Sequence, residues 1–197
     1  MPPVLSSLPD ETLIARSRTG DERAFETLVK RYEQTVYGFS YKVCRDKEKA
    51  EETLQDTFVN VYTHLDSFRG SSKFSTWLYS IVTNNCLMKR RGRKIDTLLE
   101  SLDEPPLHDD DHGQRQIPQW NDTPERTLLS KELRERLDAA IQKLPMDYRV
   151  VFILRDVEQQ SAEETAKILK LSIPAVKSRL RRERVFLREE LAEFITD

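Results

Sequence analysis

Five glycines in 197 residues leave little room for sheets and none for a glycine-rich phosphate loop. Cysteine is scarcer still. Cys44 and Cys86 are the only two, too few for a disulfide framework, and no His or Cys stands near enough to complete a zinc-ligand spacing. Both read as small hydrophobes buried in a reducing compartment. Long apolar runs are missing as well, since charge interrupts every hydrophobic stretch within a few residues. That excludes a membrane span and a secretory signal, and the expected location is the cytoplasm. His64 is isolated, while His108 and His112 fall in an acidic stretch. No Ser/His/Asp, Cys/His or metal-binding spacing accompanies them, so no enzyme, cofactor, metal or small-molecule substrate is expected.

Charge is abundant, at 34% of residues, and long segments carry helical periodicity; together they predict an all-α protein. The formal charge of −2 hides an uneven distribution. Residues 1–94 hold 16 basic against 12 acidic side chains, residues 95–124 hold 1 against 8, and residues 125–197 hold 15 against 14. The expectation is two small helical domains, 10–94 and 125–197, joined by an acidic, extended linker over 95–124 that contains four prolines and Asp109-Asp110-Asp111. No internal repeat is evident.

In the first domain Asp10 and Asp21 are candidate helix caps, and Phe25, Leu28, Val29, Tyr32, Val36, Phe39 and Val43 recur at helical intervals. After a break at Arg45-Asp46-Lys47, a helix to about His64 places Ala50, Leu54, Phe58, Val61 and Leu65 on one stripe. Glu51, Glu52, Gln55 and Asp56 fall on its polar face. Gly70-Ser71-Ser72 marks a turn, and Ser75 is a candidate cap for a further helix through Trp77, Leu78, Ile81 and Val82 to Met88. That helix runs into Lys89-Arg90-Arg91-Gly92-Arg93-Lys94, five cations in six residues, which suit a helix C-terminus and bind phosphate. Trp77 and Asn84 lie two turns apart on one face, extended by Asn85, Lys89 and Arg90. Such a set can stack on a base, bond its edge and hold the backbone.

The second domain begins on the stripe Leu133, Leu137, Ile141 and Leu144 and ends in the pattern of a helix-turn-helix. Ala166 permits close helix approach, Leu169 and Leu171 flank the turn, Ser172 caps the second helix, and Pro174 sits in its first turn. Val176, Leu180, Leu187 and Leu191 face inward, and Lys177, Ser178, Arg181, Arg182 and Arg188 cover the outer surface. An apolar back and a cationic front suit a DNA major groove.

Four stretches in order, Ala50 to Phe58, Phe74 to Tyr79, Leu144 to Arg149 and the helix-turn-helix, resemble the bacterial sigma factors of the extracytoplasmic-function group, the smallest of the sigma-70 family. The resemblance covers nearly the whole chain. It implies a sigma-2-like domain that binds core RNA polymerase and melts the minus-ten element, and a sigma-4-like domain that reads the minus-thirty-five element as duplex. It places the polymerase contact on Glu51, Glu52, Gln55 and Asp56. Minus-ten contacts fall on Arg69, Ser71, Ser72, Lys73, Trp77, Asn84, Asn85, Lys89 and Arg90, with a flipped-out base received by the Arg69 to Lys73 loop. Minus-thirty-five contacts fall on Ala175, Lys177, Ser178, Arg181 and Arg182. The linker of similar proteins threads the polymerase cleft and RNA exit path, and an anti-sigma factor often covers the polymerase-binding surfaces.

Three departures from the family pattern stand in the helix-turn-helix: Lys170 and Pro174 replace glycines, and Thr165 replaces an aliphatic residue. The implied function is a promoter-specificity subunit serving a dedicated, signal-responsive set of promoters. A stand-alone helix-turn-helix regulator is the alternative, and it leaves the Trp77 to Lys94 surface and the Glu51 to Asp56 face without a use.

Overall fold

Two aspartates start the two long helices of the N-terminal half. Asp21 accepts from the Ala24 amide at 3.2 Å and opens α2 (Glu22–Cys44), and Asp46 accepts from the Lys49 amide at 3.1 Å and opens α3 (Lys47–His64). Each satisfies an amide that the first helical turn leaves without a partner. Between them Arg45 takes a left-handed conformation, φ 57°, and its amide bonds the Tyr41 carbonyl, so the chain reverses in two residues. The computed structural model describes residues 5–91 and 124–195, and all of its regular elements are helical.

Ahead of α2 lies α1 (Asp10–Arg18), and after α3 comes α4 (Phe74–Arg91). Asp10 does not cap α1 as expected. It is the first helical residue, and its carboxylate takes Arg31 and the Tyr32 hydroxyl from α2 instead. Ser75 likewise lies inside α4, which starts at Phe74. α1 packs on α2, α2 on α3, and α3 on α4. Their shared core contains Leu13, Leu28, Val36, Phe39, Val43, Val61, Leu78 and Val82, with Tyr32, Phe68, Phe74 and Trp77 forming an aromatic cluster at one end. Each fully buried side chain of this size contributes about 1.5–3 kcal/mol.

The C-terminal half comprises α5 (Pro124–Lys143), α6 (Met146–Phe152), α7 (Ala162–Leu169) and α8 (Ile173–Ile195), with a π-helical turn over Ile153–Val157. Ser161 and Glu164 form a reciprocal capping box at the start of α7, each side chain bonding the other's main-chain amide at 3.0 Å. Lys170 ends α7 in the left-handed region, φ 54°, so a lysine makes the turn in place of glycine. Ser172 caps α8 through the Ala175 amide at 3.2 Å, and Ala166, Val176 and Leu180 pack together across the turn as the spacing predicts. Thr165 is fully buried, and its hydroxyl has no hydrogen-bond partner.

The two helical halves meet. Val150, Ile153, Leu154 and Ile168 join the N-terminal core, and α7 packs against α4. At the edge of this contact Glu158 accepts from Lys42 at 2.8 Å and from the Tyr79 hydroxyl at 2.6 Å, and Arg45 pairs with Asp138. The expected acidic linker over 95–124 lies, apart from Pro124, outside the described residues.

Candidate nucleic-acid interface

Alternation around α3 divides it sharply. Ala50, Thr53, Thr57 and Val61 are buried, whereas Glu51, Glu52, Gln55 and Asp56 are exposed on one outer face. Lys89 of α4 reaches across this face, with its ammonium 3.0 Å from the Glu52 carboxylate and 2.9 Å from that of Asp56. Burial draws the lysine's pKa down, but its bonds to Asp56 and then Glu52 prevail and hold it above its usual range. Lys89, expected on a DNA-binding surface, therefore also belongs to the acidic face.

The acidic face continues into an apolar patch. Val59 and Tyr62 are 64% and 62% exposed, the Tyr62 ring meets Phe25 edge-on at 5.0 Å, and Gln55 and Phe58 complete the lining of a shallow hollow. Neither Val59 nor Tyr62 belongs to a motif or apolar stripe legible in the sequence. Both stand off the Leu54, Phe58, Val61 stripe, and that position was the available signal.

On α4, Trp77 is half-buried against Phe68 and Phe74, with ring centroids 5.3 and 5.7 Å away. Asn84 is exposed two turns later, and Met88, 58% exposed, lies beside its amide at 3.5 Å. Trp77, Ile81, Asn84 and Met88 thus follow one another along a single stripe. Asn85 does not join it. It is buried, its amide nitrogen donates to the Thr57 hydroxyl at 3.1 Å, and its amide oxygen accepts from Asn60 at 3.0 Å. One residue's 100° rotation around the helix turns it inward, where both ends of the amide are used to bind α4 to α3. Arg90 lies in α4, but its side chain is outside the described residues, as are Gly92, Arg93 and Lys94.

The loop before α4 presents Arg69, Gly70, Ser71 and Lys73 to solvent, with Ser72 half-buried. Gly70 has φ +70°, which the turn requires and a side chain would strain. Tyr79, on another side of α4, carries the contact to Glu158, so docking of the C-terminal half leaves Asn84, Met88 and this loop exposed.

At the opposite end of the chain, α8 exposes Lys177, Ser178 and Arg181, with Ala175 and Arg182 half-buried. Arg179 ties α8 back to α6, its guanidinium 5.7 Å from the Tyr148 ring centroid and 3.3 Å from the Asp147 carbonyl. Arg184 is held by Asp156 at 2.6 Å. Arg179 and Arg184 thus help hold α8 in place, and Lys177, Ser178 and Arg181 are exposed on its first turns. An outward set of Lys, Ser and Arg on the first turns of a capped helix provides donors for phosphates and guanine edges. Among the described residues there is no cluster of His, Cys, Asp and Glu that could hold a metal, and no helix is long and apolar enough to cross a membrane.

Comparison with known proteins finds the same organisation. Residues 28–95 match the family model for Sigma-70 region 2, and residues 134–187 match that for Sigma-70, region 4. The chain is 33% identical over 180 residues to the ECF RNA polymerase sigma factor SigW of Bacillus subtilis, covering 91% of this chain and 95% of that protein. A structure of CnrH in complex with the cytosolic domain of CnrY superposes with a TM-score of 0.64 at 24% identity, over 93% of this chain and 97% of that one. The sigma factor RpoE from Bartonella quintana, in complex with the anti-sigma factor NepR, gives a TM-score of 0.59 at 24% identity, over 85% and 96%.

Proposed function

This chain belongs to the sigma-70 family, in its extracytoplasmic-function group, and from that premise we propose how its surfaces divide the work of a promoter-specificity subunit. The α3 face of Glu51, Glu52, Gln55 and Asp56 binds core RNA polymerase. Its carboxylates and amide offer acceptors to a basic partner and set the register, while the neighbouring Val59 and Tyr62 supply desolvated contact area. The observation that carries this reading is the adjacency of that acidic face, an exposed apolar patch and the α4 stripe on one half of the molecule, with a capped basic helix on the other.

The α4 stripe and the loop before it engage the minus-ten element. Trp77 and Met88 provide stacking surface, Asn84 an amide for a base edge, and Arg69, Ser71, Ser72 and Lys73 the backbone and a receiving loop for an unstacked base. Asn85 acts indirectly, by fixing α4 on α3. Ala175, Lys177, Ser178, Arg181 and Arg182 face the minus-thirty-five duplex. Domains 10–94 and 125–197 are the units of this division, with 95–124 as the connector.

Sigma factors are initiation factors without enzymatic activity, and this chain carries no chemistry of its own. It works in the cytoplasm on a signal-responsive set of promoters, and an anti-sigma partner competes for the polymerase-binding face. The test is permanganate footprinting of promoter DNA selected from the host genome, with the protein alone, core polymerase alone and both together. Melting only in the mixture is expected. A stable duplex footprint from the protein alone, with no melting when core polymerase is added, would instead indicate a stand-alone regulator.

A further inference from the structure

The only two cysteines of the chain, 42 positions apart, meet in the fold. Cys44 is the last residue of α2, Cys86 lies in the fourth turn of α4, and their Sγ atoms are 3.4 Å apart with both thiols free. A disulfide needs about 2.05 Å, so the pair is one short movement from bonding. Cys86 is buried and Cys44 half-buried, which gives a small oxidant access to one sulfur and keeps the other in reserve. We propose that Cys44 and Cys86 form a reversible oxidation site for peroxides, closing to an intramolecular disulfide that reshapes the α3–α4 surface.

Chemical asymmetry supports the order of events. The neighbouring Cys86 thiol holds the Cys44 thiol below its usual range, burial opposes this, and Thr53, Lys89 and Lys49 reinforce it. Cys86 is pushed the other way, by Cys44 and by burial. Cys44 is thus the sulfur that attacks and Cys86 the one that resolves. The Cys44 thiolate attacks one peroxide oxygen, the O–O bond breaks, and hydroxide leaves, giving a sulfenic acid at Cys44. The Cys86 sulfur then displaces that hydroxyl, losing its proton, and water departs as the S–S bond forms. Two thiols have lost two electrons and two protons, and one hydrogen peroxide has become two waters. A dithiol reductant reverses the process.

The location gives the bond its effect, and this part rests on the polymerase-binding role proposed for α3. Lys89 stands one turn beyond Cys86 and holds both Glu52 and Asp56, and Thr53 of α3 touches the electrostatics of both thiols from inside. Drawing the sulfurs together by more than an ångström pulls α4 toward the end of α2 and shifts the ammonium that organises the acidic face. Oxidation is therefore expected to weaken binding to core polymerase by about tenfold.

The experiment treats the full chain with hydrogen peroxide, then alkylates under denaturing conditions and maps the peptides, alongside Cys44→Ser and Cys86→Ala. Expected is a monomer in which neither cysteine is alkylated, a linked Cys44–Cys86 peptide pair, and recovery of both thiols on dithiothreitol. Over-oxidation of Cys44 with Cys86 still alkylated, or a disulfide between two chains, would overturn the proposal. Core polymerase binding is measured on the same samples: oxidised wild type weakened and restored by dithiothreitol, both variants indifferent to peroxide. Disulfide formation with unchanged affinity would overturn its assigned effect. Failure of the reduced protein to bind polymerase at all would count instead against the sigma-factor reading, leaving the mapped disulfide to stand or fall by itself.

Discussion

The Arg149 guanidinium donates to the main-chain carbonyl of Val43 at 2.8 Å, across the contact between the two helical halves. The same group reaches the carbonyls of Ile141, Gln142 and Leu144 at 3.1, 2.6 and 2.8 Å. One side chain thereby joins the C-terminal ends of α5 and α2, placing a cation at the negative ends of both helices.

Arg149→Ala is accordingly expected to lower stability by about 2–3 kcal/mol in urea unfolding. Arg149→Lys should recover little of that loss, because a single ammonium cannot match four carbonyls approached by a planar fork. Recovery to near wild type by lysine would show that charge alone matters at this position.

Glu52→Lys replaces an acceptor on the outer face of α3 with a cation beside Lys89. Binding to core polymerase is expected to fall at least about tenfold while the melting temperature changes little, since the position is exposed. Tyr62→Ala should weaken the same interaction by about 1–2 kcal/mol, as truncation of an exposed aromatic anchor does at an interface. Titration of labelled protein against core polymerase measures both, and normal binding by Glu52→Lys would remove this face from the interface.

Arg181 is exposed on the recognition helix. If it contacts a base edge, Arg181→Ala is expected to cost about 1–3 kcal/mol at one position of the minus-thirty-five element and to relax selection there; a phosphate contact would instead lower affinity for all sequences and reduce the salt dependence. Binding of a promoter library by holoenzyme at two salt concentrations separates these outcomes from no effect.

Glu183, on the buried side of α8, is 1% exposed, and neither carboxylate oxygen has a hydrogen-bond partner. Burial pushes its pKa from 4.5 up to about 9, Asp156 adds to this, and Arg179 and Arg184 oppose it. Above pH 4.5 the unfolded chain releases this proton while the folded chain keeps it, so this residue's contribution lowers stability progressively from about pH 4.5 to about pH 9. Glu183→Met should remove that slope and exceed wild type at pH 8 by roughly 2–4 kcal/mol. Unfolding curves at pH 5 and pH 8 test it, and parallel pH dependence in the two proteins would refute the assignment.

Much of the architecture is written in local pattern. Asp21 and Ser172 are legible as caps because their function is completed within three residues, and the Val176, Leu180, Leu187 stripe is legible because a helix repeats. Ser161 and Glu164 are equally local and were open to the same reading. Asn85 differs, because its inward role depends on Thr57 and Asn60, more than twenty positions away. The same distance conceals the Cys44–Cys86 approach and the use of Glu158 by Lys42 and Tyr79. Val59 and Tyr62 illustrate a third limit: an apolar residue off the core stripe marks a surface only once neighbouring helices are known to leave it uncovered.

The shared core between the halves sets a limit on reach. A chain of this length folded as one body measures on the order of 40 Å across, whereas sites centred about 25 base pairs apart, as minus-ten and minus-thirty-five are, lie roughly 85 Å apart along straight duplex. Thirty residues of connector extend to at most about 100 Å, so tether length permits the span that the joined halves forbid. On the division of work proposed above, Val150, Ile153, Leu154 and Ile168 are expected to leave the N-terminal core before α4 and α8 can occupy one promoter together. The molecule is a folded ruler, too short to measure its promoter until its two arms part.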